Sequence, residues 1–227
     1  MPAAWPWQGL AALVAHPSWL LRAVLAMLAG WLLILALGIA ASFWAWPAAD
    51  AAWWWLRAAI AVGVGAVAAA SAWLLLLPFA VSLGLEWLAR AVQQAAGHPP
   101  HDLPLRAAVP AALRVLLATL PLRLLWLLAM LVALPFGPLA VMVAALAAGH
   151  LACRDAADVA LSLRGLDGGQ RLAVLRAQRG ELLGAGAYAA LLAAALAPLG
   201  VTWLVWLPAI AVGAARRVLA WPLPTPR

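Results

Sequence analysis

The stretch AVLAMLAGWLLILALGIAASFWAW, residues 23–46, contains no charged side chain and lies in a run of 27 uncharged residues between Arg22 and Asp50. An α-helix rises about 1.5 Å per residue, so about 20 residues cross the ~30 Å hydrocarbon core of a bilayer. Trp44 and Trp46 stand at the far end of the stretch, and tryptophans are typical of the membrane interface. The stretch therefore predicts a membrane-spanning helix.

The composition of the whole chain also indicates a membrane protein. Of its 227 residues 68% are hydrophobic and 9% are charged, against roughly 45–50% and about 25% in soluble domains. This hydrophobicity excludes disorder, and a single cysteine, Cys153, excludes a disulfide scaffold. All fourteen cationic side chains are arginine, against seven carboxylates, but nucleic-acid binding would need this charge on a solvated domain. We therefore expect an all-α integral membrane protein that does not bind nucleic acid.

A second long apolar stretch, residues 51–85, contains a single charge, Arg57. As a helix it is expected to be about 50 Å long, so it must tilt or protrude from the bilayer. Three consecutive tryptophans near its start, residues 53–55, match the interfacial depth at which the preceding span ends. The two stretches predict a long transmembrane hairpin, with Arg57 snorkelling beside Asp50.

Two further apolar hairpins have shorter arms. The arms contain 13 and 14 residues in the first hairpin and 16 and 15 in the second: 122–134, 139–152, 182–197 and 201–215. Such arms reach only about 20–24 Å, which is less than the hydrocarbon core. The turns between them, at 135–138 and 198–200, carry no charge. We expect hairpins that enter the membrane and turn back inside it, with ordinary spanning hairpins in a thinned bilayer as the alternative.

Arginines gather at the bases of the three hairpins and are absent from the two short turns. Segments rich in arginine stay on the cytoplasmic side of a membrane. The bases therefore predict one cytoplasmic face that also carries both termini, in a multi-pass protein of the bacterial inner membrane.

The segment between the two short hairpins is predicted to contain an amphipathic surface helix. Asp167 followed by Gln170 matches a capping box that starts a helix at Gly168. We expect Arg171 and Arg179 on the exposed face, opposite the leucines, where they would meet the anionic headgroups of the cytoplasmic leaflet.

These elements predict a single membrane domain. Its segments are an N-terminal interfacial segment (1–18), the long hairpin (19–97), a cytoplasmic loop (98–106), a second helical region with a short hairpin (107–152), the amphipathic segment (153–181), the third hairpin (182–218) and a tail (219–227). Gly180 and Gly184 have the small-xxx-small spacing of close helix packing.

The sequence contains no catalytic motif of the common types, such as a GxSxG elbow, an HExxH helix or a phosphate-cradling glycine loop. His98, His101 and Asp102 lie together in a proline-rich stretch, which predicts a solvated loop because a closed metal site needs three or four ordered ligands. We therefore expect a protein that is not an enzyme and that uses neither a cofactor nor a metal.

A run of charged residues follows the first short hairpin. Arg154 and Asp158 are four residues apart and are predicted to pair along a helix. Asp155 lies on the same helix, and His150 lies one turn earlier. We interpret the group as a structural charge cluster at a membrane boundary, with a DxxD metal or proton site as the alternative.

Three arginines, Arg22, Arg114 and Arg123, lie inside or beside apolar stretches. A cation is costly in that position and often functional. Each arginine alone is predicted to anchor the topology, whereas together they could line an anion path.

Several stretches resemble the CysZ sulfate transporter family, which belongs to the etoposide-induced-protein-like membrane domains. They are PFAVSLGLEWLARAVQQAAGHPP at 78–100, LRGLDGGQRLAVLRAQRGELLGAG at 163–186 and LPAIAVGA at 207–214. PFGP at 135–138 occupies the place of the family's VGP-type turn, and the order holds over essentially the whole chain. The resemblance implies an oligomeric helical inner-membrane protein with two long spanning helices and two half-penetrating hairpins, which imports sulfate for cysteine synthesis.

The resemblance also implies an anion site at the start of the first long helix. The family has a proline followed by Gly-Leu-Arg there, and this chain has PSWLLR at 17–22, with serine in place of glycine and arginine displaced by about two positions. Ser18 is expected to offer its hydroxyl and cap the helix, with Trp19, Leu20 and Arg22 completing the site.

Two hypotheses follow from these features. The order of the family-like motifs favours an anion transporter or channel for an inorganic oxyanion such as sulfate, active as a homo-oligomer in contact with membrane lipid. The departures in the PSWLLR segment favour the alternative, a non-transporting membrane scaffold with the same fold, in which the arginines serve only topology and lipid contact.

Overall fold

The computed structural model of the protein describes residues 3–48, 52–101, 105–199 and 202–223. Within these residues the chain is 86% helical and has no strand, which confirms the all-α prediction. The α-helices are α1 (Trp5–Ala15), α2 (Pro17–Trp44), α3 (Trp54–Ala95), α4 (Leu105–Ala133), α5 (Pro138–Ser162), α6 (Gly168–Ala177), α7 (Arg179–Leu196) and α8 (Thr202–Leu219).

Three helical stretches of the described chain are long and apolar enough to cross a membrane: Pro17–Trp44, Val109–Phe136 and Pro138–Ser162. The first of them matches the predicted span at 23–46. The second and third contain the arms that were predicted to be too short, so helix length does not prevent the first short hairpin from crossing. The helices are longer than the predicted arms because α4 begins at Leu105, well before residue 122, and α5 continues past Arg154 to Ser162.

The helices divide between two compact units. The unit Leu21–Gly84 contains most of α2 and the first part of α3, and these helices meet where Gly65 lies against Gly38 and Ser42. The tryptophans near the connection have exposed side chains, 89% for Trp44 and 69% for Trp53. Their exposure at the end of two apolar helices matches the predicted interfacial belt.

Arg57 is exposed near the start of α3. Its predicted neighbour Asp50 lies outside the described residues, as do Asp102 and Gly200.

The other unit comprises Met1–Leu20 and Leu85–Arg227. In its described residues α1 packs along α8, α5 packs along α7 and α8, and α4 contacts α5 and α6. Trp5 and Leu13 of α1 are buried in this core. The segment 1–18, which was predicted as interfacial, thus contains a helix that contributes two large apolar side chains to this core.

Glycines let pairs of helix backbones approach closely in this unit. A Cβ atom on Gly186 of α7 would lie 2.7 Å from the backbone of His150 in α5, and Gly149 lies against Gly186 in return. Between α1 and α8, a Cβ atom on Gly9 would lie 2.7 Å from the backbone nitrogen of Gly213. No side chain larger than hydrogen fits at these contacts without moving a helix.

The predicted packing pair, Gly180 and Gly184, does not make a close contact between helix backbones. A Cβ atom on Gly180 would meet no described atom within 4 Å, and one on Gly184 would meet only the Ala3 side chain. The helix contact of α7 therefore uses Gly186, which lies two residues after Gly184 on a different face of the helix.

The turns agree with the predicted uncharged tips. A 3₁₀ turn, Leu134–Phe136, and Gly137 at φ +49° connect α4 to α5, and a second 3₁₀ turn, Ala197–Leu199, follows α7. The boundaries differ from the predicted segments: α4 begins inside the predicted loop 98–106, and α5 includes the first ten residues of the predicted segment 153–181. The charged residues at 154–158 do not end α5, because arginines of other helices neutralise Asp155 and Asp158.

We expect Gly186→Ala to destabilise the helical core by about 1–3 kcal/mol, because the added methyl group meets the rigid backbone of α5. Gly180→Ala is the matched control, since its methyl group meets open space on the same helix, and it should leave stability unchanged or raise it by up to about 1 kcal/mol, because alanine favours a helix over glycine. Thermal unfolding of both variants in detergent micelles measures the difference, and equal midpoints would contradict the assigned contact.

Candidate functional site

The predicted anion site lies at the start of α2. The helix begins at Pro17, directly after His16, which ends α1. The backbone N–H of Trp19 donates to the His16 carbonyl at 3.0 Å, and the two rings stack with centroids 4.5 Å apart. His16 therefore occupies the position before the helix that Ser18 was predicted to occupy, and Ser18 lies within the first turn.

Ser18 and Arg22 are both exposed, whereas Trp19 and Leu20 are partly buried. Four residues, about one helical turn, separate Ser18 from Arg22 along α2. The start of a helix favours anions through its unpaired N–H groups and its dipole. This part of the predicted site can therefore offer a hydroxyl and a cation to a small anion, although not through a Ser18 cap.

The two arginines of the predicted path have different neighbours. Nine residues, or about 2.5 helical turns, separate Arg114 from Arg123, so they project from opposite faces of α4. Arg114 is exposed and its Nη1 atom lies near Gly169 at the start of α6. Arg123 instead donates through Nη2 to both carboxylate oxygens of Asp155, at 2.8 and 2.9 Å. The structure does not bring the two arginines together.

An ion-pair cluster forms where α4, α5 and α6 meet, and we call it the α5 cluster: Arg123, Arg154, Asp155, Asp158 and Arg171. Arg171 of α6 donates through Nε to Asp158 Oδ1 at 2.8 Å and through Nη2 to Asp158 Oδ2. Its side chain is only 6% exposed. The cluster joins three helices through the two carboxylates of α5.

This geometry corrects two predictions. Asp158 pairs with Arg171 rather than with Arg154, although Arg154 lies one helical turn away. Arg171 is buried rather than exposed on a surface helix, because a two-pronged guanidinium contact with Asp158 compensates the loss of water. The predicted capping box at Asp167 and Gln170 is confirmed, with both reciprocal hydrogen bonds present.

His150 and Trp126 form a further polar contact between α5 and α4. The indole Nε1–H of Trp126 donates to His150 Nδ1 at 3.0 Å, and His150 is buried. An accepting Nδ1 carries no proton, so this imidazole is neutral in the contact. The geometry favours the structural interpretation of the charged run over a metal or proton site.

The polar loop at 98–101 is attached to the segment that precedes α6. The backbone N–H of His101 donates to the Leu163 carbonyl at 2.8 Å, and an isolated bridge pairs His101 with Arg164. Among the described residues no three His, Cys, Asp or Glu side chains are grouped closely enough to hold a metal ion.

Two other ion pairs engage carboxylates outside the α5 cluster. Glu86 accepts from Arg90 one turn along α3, at 2.6 Å. Glu181 of α7 accepts two hydrogen bonds from Arg217 of α8, at 2.6 and 2.8 Å, and they raise the pKa of Arg217 above its ordinary value. Glu86, Asp155, Asp158 and Glu181 thus each bind an arginine, and Asp167 caps α6.

Comparisons of the chain with protein-family models, with curated proteins and with solved structures found no match.

We expect Asp158→Asn to lower the free energy of unfolding by about 3–5 kcal/mol, because it leaves the buried Arg171 guanidinium without a counter-charge. Glu86→Gln is the control, since its pair with Arg90 is partly exposed and such i,i+4 pairs contribute about 0.3–0.5 kcal/mol. Denaturant unfolding in micelles compares the two, and a similar small loss in both variants would show that the α5 cluster does not stabilise the fold.

Proposed function

We propose that the protein is an inner-membrane transporter or channel for an inorganic oxyanion, with sulfate as the first candidate. The observation that carries the proposal is the exposed Ser18 in the first turn of α2, a helix that is long and apolar enough to cross a membrane and that carries the exposed Arg22 one turn later in sequence. The resemblance of the PSWLLR segment to a family anion motif supports the same assignment. A supply of sulfate to cysteine synthesis, and assembly as a homo-oligomer, belong to this proposal.

The charges of the α5 cluster support a hairpin that penetrates the membrane without crossing it. From Pro138 to Arg154 the helix rises about 24 Å, and from Arg123 to Ala133 it rises about 15 Å. Placing the α5 cluster among the lipid headgroups would leave the tip short of the opposite face of a ~30 Å core. The hairpin bases and both termini are then cytoplasmic in our proposal, and α2 and α3 are the crossing helices.

A specific observation favours the alternative function, a membrane scaffold. Arg123, Arg171 and Arg217 each neutralise a carboxylate on another helix. These three arginines therefore contribute to the fold even if no solute passes through the protein.

Flux of radiolabelled sulfate into proteoliposomes tests the transport proposal. We expect the wild type to exceed empty liposomes and Arg22→Ala to reduce the flux at least tenfold, because the variant removes the cation at the start of α2. Arg216→Ala, which removes an exposed arginine from the last turn of α8, should stay within about twofold of the wild type.

The outcomes of the flux measurement separate the two functions. An absence of flux for sulfate, sulfite, thiosulfate and molybdate would contradict transport and favour the scaffold. Flux that Arg22→Ala and Ser18→Ala leave unchanged would retain transport and remove the site at the start of α2.

Cysteine labelling tests the proposed topology. Phe136→Cys places a thiol at the exposed tip of the α4–α5 hairpin, and the native Cys153 is buried, so it should contribute little background labelling. We expect a membrane-impermeant maleimide to leave the tip unlabelled from the periplasm, because the tip lies within the hydrocarbon core. Trp44→Cys, at the exposed far end of α2, is the control that should react, and rapid labelling of both positions would show that the hairpin crosses fully.

A further inference from the structure

Arg154 is the member of the α5 cluster that makes no ion pair in the described structure. The residue is only partly exposed, and its Nε atom is buried without a hydrogen-bond partner. The adjacent carboxylates are engaged elsewhere, since Asp155 binds Arg123 and Asp158 binds Arg171. A guanidinium partly removed from water is costly unless an anion compensates it, and no described carboxylate does so by direct contact.

Asp155 and Asp158 attract Arg154 electrostatically without contacting it directly, and two further arginines repel it. α6 returns beside the end of α5, so that Arg171 binds Asp158 while Arg176, five residues later, comes within electrostatic reach of Arg154. Arg123 approaches from α4 and also acts electrostatically on Arg154. The Nε atom of Arg123 is likewise buried without a hydrogen-bond partner.

The local charges do not balance. The α5 cluster together with Arg176 contains four arginines and two carboxylates. His150 adds no positive charge while its Nδ1 accepts the Trp126 hydrogen bond. The surplus therefore lies at Arg154 and Arg176, which are the two cations without a carboxylate partner here.

We propose that Arg154 and Arg176, flanked by Arg123, bind a tetrahedral oxyanion: inorganic sulfate or phosphate, or the phosphate of an anionic lipid headgroup. Guanidinium groups bind such oxygens in a two-pronged geometry, and the exposed Arg176 within electrostatic reach of the partly buried Arg154 favours a group with more than one acceptor oxygen. Arg154 lies two turns before the end of α5, a position that suits either source. The site stands apart from the proposed transport function, because binding here requires no flux and no residue of α2.

Binding of [³⁵S]sulfate and of inorganic [³²P]phosphate to the detergent-solubilised full chain tests the free-anion source. All proteins carry Arg22→Ala, so that the site proposed at the start of α2 does not contribute. We expect saturable binding that weakens at least tenfold with Arg154→Gln and with Arg176→Gln, since each variant removes a charge-assisted contact. Arg216→Gln, an exposed arginine outside the α5 cluster, should bind like its parent.

Native mass spectrometry tests the lipid source in the same proteins. Phosphatidylglycerol should stay bound to the parent protein and be lost from Arg154→Gln and Arg176→Gln, with phosphatidylcholine as the zwitterionic control. Binding of radiolabelled anions without retained phosphatidylglycerol identifies a free oxyanion, and the reverse result identifies the headgroup. If neither probe binds the parent more tightly than the Arg154→Gln and Arg176→Gln double variant, the proposal is wrong.

Stability without ligand separates this proposal from a purely structural role of Arg154. Because Arg154→Gln removes an unpaired and partly buried charge, its ligand-free unfolding midpoint should equal or exceed that of the parent. Added sulfate or phosphatidylglycerol should raise the midpoint of the parent and leave that of the variant unchanged. If the ligand-free unfolding midpoint of Arg154→Gln lies well below that of the parent, and added ligand still raises it, then Arg154 stabilises the fold and does not bind the anion.

Discussion

The carboxylates of Asp155 and Asp158 determine how the polar side of the helical core is assembled. They lie one turn apart on α5 and bind an arginine of α4 and an arginine of α6, respectively. A buried guanidinium is tolerated only beside a counter-charge with good geometry. The path of α6 back along α5 therefore depends on Asp158, because this contact is the one that accommodates the buried Arg171.

The apolar side of the core is assembled by close packing instead. In a membrane, lipid chains are as apolar as leucine, so helices associate through van der Waals contact wherever small residues let backbones approach. Gly149 and Gly186 provide this contact between α5 and α7, and Gly9 and Gly213 provide it between α1 and α8. The Glu181–Arg217 pair then joins α7 to α8 near their charged ends. Directional ion pairs and close glycine contacts thus fix complementary parts of the same unit.

The features that were predicted correctly from the sequence are those that depend on residues close together in the chain. The helical class follows from apolar runs of 20 residues or more, and the Asp167 capping box follows from a spacing of three. The contacts that escaped prediction join residues far apart in the chain: 13 positions separate Asp158 from Arg171, and 32 separate Arg123 from Asp155. Arg154 is the nearer partner for Asp158 by spacing, but the tertiary contact with Arg171 is made instead.

The length of a helix differs from the length of its uncharged stretch, because contacts with distant residues neutralise charges inside the helix. Charges were expected to end the membrane arms of the first short hairpin, yet α5 continues through Arg154 and Asp158 to Ser162. A paired charge costs far less in a helix than an unpaired one. The sequence shows where the charges are, but only the three-dimensional arrangement shows which of them are neutralised.

The surplus of arginine connects this arrangement with anions. Once each described carboxylate has bound an arginine or capped a helix, the remaining cations must be balanced from outside the chain. Exposed arginines such as Arg216 are hydrated by water, but the buried Nε atom of Arg154 is not. Positive charge beside low-dielectric walls strengthens the local field and concentrates anions of any kind. A partly buried, unpaired cation among other cations is therefore the position at which this chain most needs an external oxyanion.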